Sequence, residues 1–179
     1  HRDFRAYAGQ IASGVFRVGD RVLVLPSGRS SKIKDIVLMG QSMKIAHASM
    51  SVSLLLEDEI DVSRGDLIVP IDNLPYIGKE AEAMLCWMHE TPMQPGRKYL
   101  IKHTTNSTKG VITSIHCRVN VETLEEEEAS VLALNEIGKI SIRSATPLVY
   151  DEYYRNRRLG GFIVVDEATS ATVGAGMLV

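Results

Sequence analysis

Two cysteines in 179 residues are too few for a disulfide scaffold. Cys86 and Cys117 therefore point to a reducing compartment, and the expected location is cytoplasmic. No apolar run approaches the roughly 18 residues that a bilayer crossing needs. No signal-peptide pattern is visible either, so no membrane partner is expected. Charge of one sign is also missing: 20 basic and 22 acidic side chains leave a net charge of −2. Aromatic residues make up only 6% of the chain. Without a basic field or many stacking platforms, nucleic acid is not the expected partner.

What the chain has is a turn used twice. Ile11-Ala12-Ser13-Gly14-Val15-Phe16-Arg17-Val18-Gly19-Asp20-Arg21-Val22 is the first copy, and Leu56-Glu57-Asp58-Glu59-Ile60-Asp61-Val62-Ser63-Arg64-Gly65-Asp66-Leu67-Ile68 the second. In each, a polar turn closes with Gly-Asp and an apolar strand follows. Glycine supplies the positive φ, and aspartate bonds back to nearby amides. Around these phrases the first half reads as strands. Val22–Leu25, the Pro26-Ser27-Gly28 turn and Ser31–Leu38 form a hairpin. Met43–Ala48 is a further strand or loop. In Ser51–Leu56, Val52, Leu54 and Leu56 share one face. Leu67–Val69 ends at Pro70, which cannot donate to a ladder.

The stretch Ile71–Gly78 reads as a linker, rich in Pro, Gly, Asp and Asn. Charge does not shift across it: residues 1–74 carry nine basic and nine acidic side chains. The strand pattern then restarts with Ala81–Met88, a Pro95-Gly96 turn into Lys98–His103, and the β-branched run Gly110–Asn120. Glu122–Leu134 is the one helix-like stretch, with Thr123 and Glu126 spaced as a capping box, and its four consecutive glutamates favour a solvated turn or a short helix over a core element. Lys139–Ser144 and Gly161–Asp166 read as the last strands. The expected class is all-β, two consecutive barrels over residues 1–74 and 78–179.

The phrase Tyr7-Ala8-Gly9-Gln10-Ile11-Ala12-Ser13-Gly14, with Val18-Gly19-Asp20 and Leu25-Pro26-Ser27-Gly28, resembles the second domain of translation-factor-type GTPases. The second half is more specific. Trp87-Met88-His89-Glu90, Pro92-Met93, Pro95-Gly96-Arg97, Leu134-Asn135-Glu136-Ile137-Gly138, Asn156-Arg157 and Phe162-Ile163 to Asp166 resemble the third domain of one branch. So does Ala171-Thr172-Val173-Gly174-Ala175-Gly176-Met177. That branch is the family of GTPase subunits of bacterial ATP sulfurylase, and the similarity covers nearly the whole chain. It implies barrels like domains 2 and 3 of elongation factor Tu and a role in sulfate assimilation. The intact heterodimer makes adenosine 5′-phosphosulfate from ATP and sulfate, driven by GTP hydrolysis. GTP and Mg²⁺ would belong to the parent protein. The implied partners are its own N-terminal GTPase domain and the catalytic ATP sulfurylase subunit.

The sequence departs from that family in one respect. It has no G-x-x-x-x-G-K-[ST] loop, and the nearest string, Gly138-Lys139-Ile140-Ser141, lacks the upstream glycine. No cofactor is therefore expected in this stretch, and no catalytic residue. The start at His1, without Met, reads as a piece of something longer.

Other groupings are weaker. Cys86, His89, His116 and Cys117 are zinc ligands by type, but alternation along strands turns Cys86 from His89 and His116 from Cys117. Glu57–Asp61 lacks the glycine and bidentate glutamate of a calcium loop. Gly174-Ala175-Gly176 lacks the strand–turn–helix setting of a dinucleotide site and reads as a tight turn or close strand packing. Two basic clusters remain: Arg29, Lys32 and Lys34, and Arg155, Arg157 and Arg158. Their functional reading is contact with a partner subunit, the GTPase domain or nucleotide phosphates, and the competing reading is ordinary solvated charge balanced by nearby acids. Two other functions stay open, an RNA-binding barrel module and the middle of a bifunctional sulfurylase–adenylylsulfate kinase.

Overall fold

The computed structural model describes residues 5–179, so His1 and Phe4 lie outside it. The described chain is all-β apart from one helical turn, and it divides into two compact units between Pro75 and Tyr76.

The first unit contains β1 (Tyr7–Gln10), β2 (Val15–Arg17), β3 (Arg21–Leu25), β4 (Arg29–Leu38), β5 (Gln41–Met43), β6 (Ile45–His47), β7 (Ser51–Leu56) and β8 (Leu67–Pro70). Its main sheet runs β1-β7-β4-β3-β8, with β5 on β4. The β2–β6 ribbon adds Phe16 and Ala46 to the core built by Val22, Val24, Ile33 and Ile36. Alternation sets the faces as expected: Val52, Leu54 and Leu56 are buried along β7.

The repeated phrase builds the same turn twice. Gly19 and Gly65 take φ of 94° and 102°. One Asp20 carboxylate oxygen accepts from the Arg17 amide at 2.7 Å, and Asp66 accepts from the Ser63 amide at 2.9 Å. Each aspartate amide also donates to the carbonyl of that same residue, at 3.1 and 3.0 Å. The turns launch β3 and β8, which pair antiparallel from Val22↔Pro70 to Leu25↔Leu67. One local device, used twice, thus delivers two neighbouring strands of one sheet.

The second unit contains β9 (Tyr76–Trp87), β10 (Lys98–His103), β11 (Asn106–Val119), β12 (Glu126–Glu127), β13 (Ile137–Tyr150), the turn of helix α1 (Arg157–Gly160), β14 (Gly161–Val165) and β15 (Thr172–Leu178). Its strands run β10-β14-β15-β9-β13-β11, and β11 pairs back onto β10. The six strands therefore close into a barrel, which removes free edges. Inside lie Leu85, Trp87, Tyr99, Ile112, Ile140 and Phe162. Gly174 and Gly176 serve close packing rather than a turn. A Cβ on Gly176 would sit 2.3 Å from the Phe162 ring.

Two expectations need correction. Tyr76–Gly78 is not linker: Tyr76 pairs with Tyr150, Ile77 with Val149 and Gly78 with Leu148. The Tyr76 and Tyr150 rings also meet, with centroids 5.8 Å apart. No helix forms over Glu122–Leu134 either. Asn120 Oδ1 takes the amides of Glu122 and Thr123 at 3.0 and 3.3 Å, a side-chain substitute for helical bonding. Leu124 then turns through a φ of 61°. Thr123 accepts from the Glu125 amide at 3.3 Å, so no box to Glu126 is made. Glu126 and Glu127 form β12 against β11, where Arg118 and Asn120 bind the Glu127 carboxylate. Leu132 is drawn into the core opposite Met93.

Candidate functional site

The two basic clusters lie on different units. Arg29, Lys32 and Lys34 are all exposed along β4. Lys32 stands opposite Arg21 on β3, while Arg29 lies at the hairpin end opposite Val24. The cluster lies along exposed positions of one strand.

Arg155, Arg157 and Arg158 are also exposed, but they are held by a shaped segment. Asn156 is buried and caps α1: its Oδ1 accepts from the Leu159 amide at 3.4 Å, and its Nδ2 donates to Asp151 at 3.1 Å. Asn156 is thus the architectural member of the Asn-Arg phrase, and Arg157 the member that faces outward.

A residue that belongs to none of the sequence motifs completes this segment. His103 is 3% exposed at the end of β10, and its Nε2 lies 2.7 Å from the Leu159 carbonyl. A carbonyl only accepts, so Nε2 carries the proton and donates. Burial holds the imidazolium form down, pushing the His103 pKa below its ordinary value. The signal was present in the strand itself: Tyr99, Ile101 and His103 alternate onto the buried face of β10. A pH effect follows. Above about pH 6.5 the imidazole is neutral in both folded and unfolded chains. As pH falls below that value, the unfolded chain takes a proton that the folded one resists. Stability is therefore expected to drop between pH 7.5 and 5.5, and His103→Gln should flatten that part of the profile. Urea midpoints for both proteins at the two pH values check this.

The zinc-ligand types do not converge. Cys117 is buried and Cys86 half-buried, on β11 and β9. The exposed His116 ring lies 2.7 Å from the Ser141 hydroxyl. His89 follows the end of β9, so strand alternation does not govern it; its Nδ1 accepts from the Thr91 amide at 3.1 Å. Among the described residues no group of three or more His, Cys, Asp or Glu could hold a metal ion.

The Gly138-Lys139-Ile140-Ser141 string does not form a nucleotide-phosphate cradle. Gly138–Ser141 lies inside β13, paired to Leu85–Glu82 on one side and to β11 on the other. Its backbone serves the barrel ladders, whereas a phosphate loop aims several free amides at one point.

The other family-like phrases meet one another. The Trp87 amide donates to the Glu136 carbonyl at 2.9 Å, and the Asn135 amide to the Trp87 carbonyl at 2.8 Å. Arg97 reaches Asp166 at 2.5 Å and stacks over the Tyr99 ring, 5.6 Å from its centroid. The amides of Thr169 and Ala168, each 3.0 Å from Asp166 Oδ1, hold that carboxyl below the usual range. These motif residues are joints of the barrel.

The family model described as "GTP-eEF1A C-terminal domain-like" matches residues 80–179. The chain belongs to this family. Beyond it, the chain is 46% identical to sulfate adenylyltransferase subunit 1 of Alteromonas mediterranea, over 99% of this chain and 38% of that protein. The Bacteroides fragilis protein of the same name is 44% identical over 99% of this chain and 37% of its own length. The bifunctional enzyme CysN/CysC of Rhodopirellula baltica is 46% identical over 98% of this chain and 27% of that protein. The chain thus spans well under half the length of these curated relatives. Among solved structures, Sup35 complexed with GDP superimposes with a TM-score of 0.86 at 16% identity, covering 98% of this chain and 45% of that one. That likeness concerns the fold alone. Among the described residues no helix is long and apolar enough to cross a membrane.

Proposed function

We propose that this chain is the non-catalytic two-barrel part of the GTPase subunit of a sulfate adenylyltransferase. The observation that carries the reading is 46% identity along 99% of the chain to sulfate adenylyltransferase subunit 1. In this reading the parent protein makes adenosine 5′-phosphosulfate for sulfate assimilation, with GTP and Mg²⁺ held by its GTPase domain. The barrels are the platform against which that domain moves as its switch segments order and disorder with the γ-phosphate. They pass the change to the catalytic ATP sulfurylase subunit. Arg29, Lys32, Lys34, Arg155, Arg157 and Arg158 are the contacts proposed for these partners. The domain assignment proposed is a second-domain barrel over residues 1–74 and a third-domain barrel over 78–179, in a cytoplasmic protein.

The 46% identity to a bifunctional CysN/CysC enzyme supports a second reading, in which the parent also carries an adenylylsulfate kinase part. Two measurements test the first reading. The purified chain should show no GTP hydrolysis above background. The full-length parent, mixed with the catalytic subunit, should show GTP-stimulated adenosine 5′-phosphosulfate synthesis. GTP turnover by the chain alone overturns the non-catalytic assignment, and a parent without sulfurylase activity overturns the family role.

A further inference from the structure

The outside of the second barrel is not uniform. On the β11 side the outward positions are mostly polar: Thr113, His116, Ser141 and Arg143 stand there beside Val111. Where β14, β15, β9 and β13 meet around Cys86 they are apolar, while further along Glu80 and Glu82 on β9 and Lys139 on β13 are charged. Register places Ile163, Ala175, Cys86 and Ile137 in one row, each opposite the next. Met177 and Met84 stand side by side in the adjoining row. All six sit on the outward phase of their strands. None is among the fully enclosed core residues, and Met177 is 41% exposed. An outward barrel face is solvated unless something covers it, and alternation would then favour polar residues there. Six apolar residues in two adjacent rows break that rule, in a patch bounded by Lys102 beside Ile163, Lys139 beside Met84, and Glu82.

A shallow groove runs over this face. Lys102, Tyr153, Ile163 and Met177 line one stretch of it, and Met84 and Tyr154 the next. Tyr154 is 92% exposed beside it, and aromatic side chains are the commonest anchors of protein interfaces. The border is basic. Lys98 and Lys102 are exposed on β10 at one side. Arg155 follows Tyr154, and Arg157 lies beside Gly161, whose Cβ position would be 3.3 Å from the Arg157 carbonyl. The acids nearby are fewer: Glu82 is bound by Lys139 at 2.7 Å, and Glu152 lies partly buried in the groove lining.

We propose that the β14–β15–β9 face is a protein-docking surface whose occupant is an acidic, aliphatic polypeptide segment. Its leucine-like side chains cover Met84, Ala175 and Met177. Its carboxylates meet Lys98, Lys102, Arg155 and Arg157. Aromatic, Met and Arg residues at the centre and edge match the composition of interface cores, and charge complementarity selects the partner's sign. The inference stands on the barrel's own surface and does not depend on the sulfate-assimilation reading.

The test uses the 179-residue chain carrying ¹³C-methyl methionine, whose seven methionines include Met84 and Met177 of the second unit and the 97% exposed Met39 of the first. The probe is an amphipathic helical peptide with leucines on one face and glutamates on the other. Its lysine counterpart, anionic vesicles and a concentration series of the chain alone are the comparisons. The acidic peptide is expected to shift the Met84 and Met177 methyl signals and leave Met39 in place. Met177→Glu should weaken binding about tenfold, as expected for loss of an apolar anchor. Lys102→Glu is a charge reversal at an exposed strand position that tests the border even if the Met177 variant folds poorly, and it too should weaken binding. Equal shifts with the lysine peptide, shifts with vesicles, self-association on concentration, or no shift with millimolar acidic peptide each overturn the proposal.

Discussion

Replacing Gly160 by alanine is expected to destabilise the second unit by about 3 kcal/mol or more, above the usual range for an added methyl. The added Cβ would lie 2.2 Å from the Tyr153 Cα, 2.3 Å from its amide nitrogen and 2.9 Å from the Glu152 carbonyl carbon. All three are backbone atoms, so no side-chain rotation relieves the overlap. The backbone cannot withdraw cheaply either. The Tyr153 amide donates to the Leu178 carbonyl at 2.9 Å, and the Gly160 amide to the Asn156 carbonyl at 2.8 Å. Relief means pulling α1 off the barrel, which breaks the His103–Leu159 bond and frees the segment bearing Arg157. Trp87 is the chain's one tryptophan and lies in this unit's core, so its fluorescence reports the unit's unfolding. For a unit of about 100 residues, the thermal midpoint should fall by more than about 10 °C. Gly9→Ala is the control. Nothing lies within 4 Å of its Cβ position, and the midpoint should hardly move. An unchanged midpoint for Gly160→Ala would show that the turn packs less closely against Tyr153 than described.

The fold was largely legible because its signals are local. The Gly-Asp turns need only a left-handed glycine and an aspartate within reach of an amide three residues back. The faces of β7 need only alternation. Closure of the second barrel is not written locally in this way. It depends on β10 meeting both β11 and β14, and β14 lies some 60 residues further along. Of the two readings of Glu122–Leu134, turn or short helix, the helix failed for a related reason. Good helix formers were present, but Arg118 and Asn120, outside that window, capture Glu127 and pull it into a strand.

The candidate site was legible only as charge. Arg155, Arg157 and Arg158 stand out in a string of letters; the buried Asn156 and His103 that hold their segment do not. His103 becomes visible once β10 is phased against Tyr99 and Ile101. The apolar outer face is harder still. Ile163, Ala175, Cys86 and Ile137 come from four strands, and only the register between those strands brings them into one row. Alternation within a single strand separates two faces but cannot show what its neighbours contribute to either one.

Trp87→Ala should cost the second barrel about 3–5 kcal/mol, the range for removing a buried aromatic ring. Trp87 is 2% exposed, and its ring meets Tyr99 edge-on with centroids 5.8 Å apart. The indole N–H donates to the Thr91 carbonyl at 2.8 Å, tying the turn after β9 to the core. Alanine removes the filled volume, the aromatic contact and this tie together. Trp87→Phe separates them. It keeps a ring against Tyr99 and loses the hydrogen bond, worth about 1 kcal/mol net, along with part of the packing. The expected order of urea midpoints is therefore native, then Phe, then Ala, read by circular dichroism because the fluorophore is gone. The second unit alone should respond, since the first builds its core from Val22, Val24, Ile33, Ile36 and their neighbours. Methyl signals of Met39, Met43 and Met50 should hold their positions while those of Met84, Met93 and Met177 move. If Phe and Ala prove equally damaging, the Thr91 bond outweighs ring packing, and the Trp87-Met88-His89-Glu90 phrase matters for its turn rather than for the core.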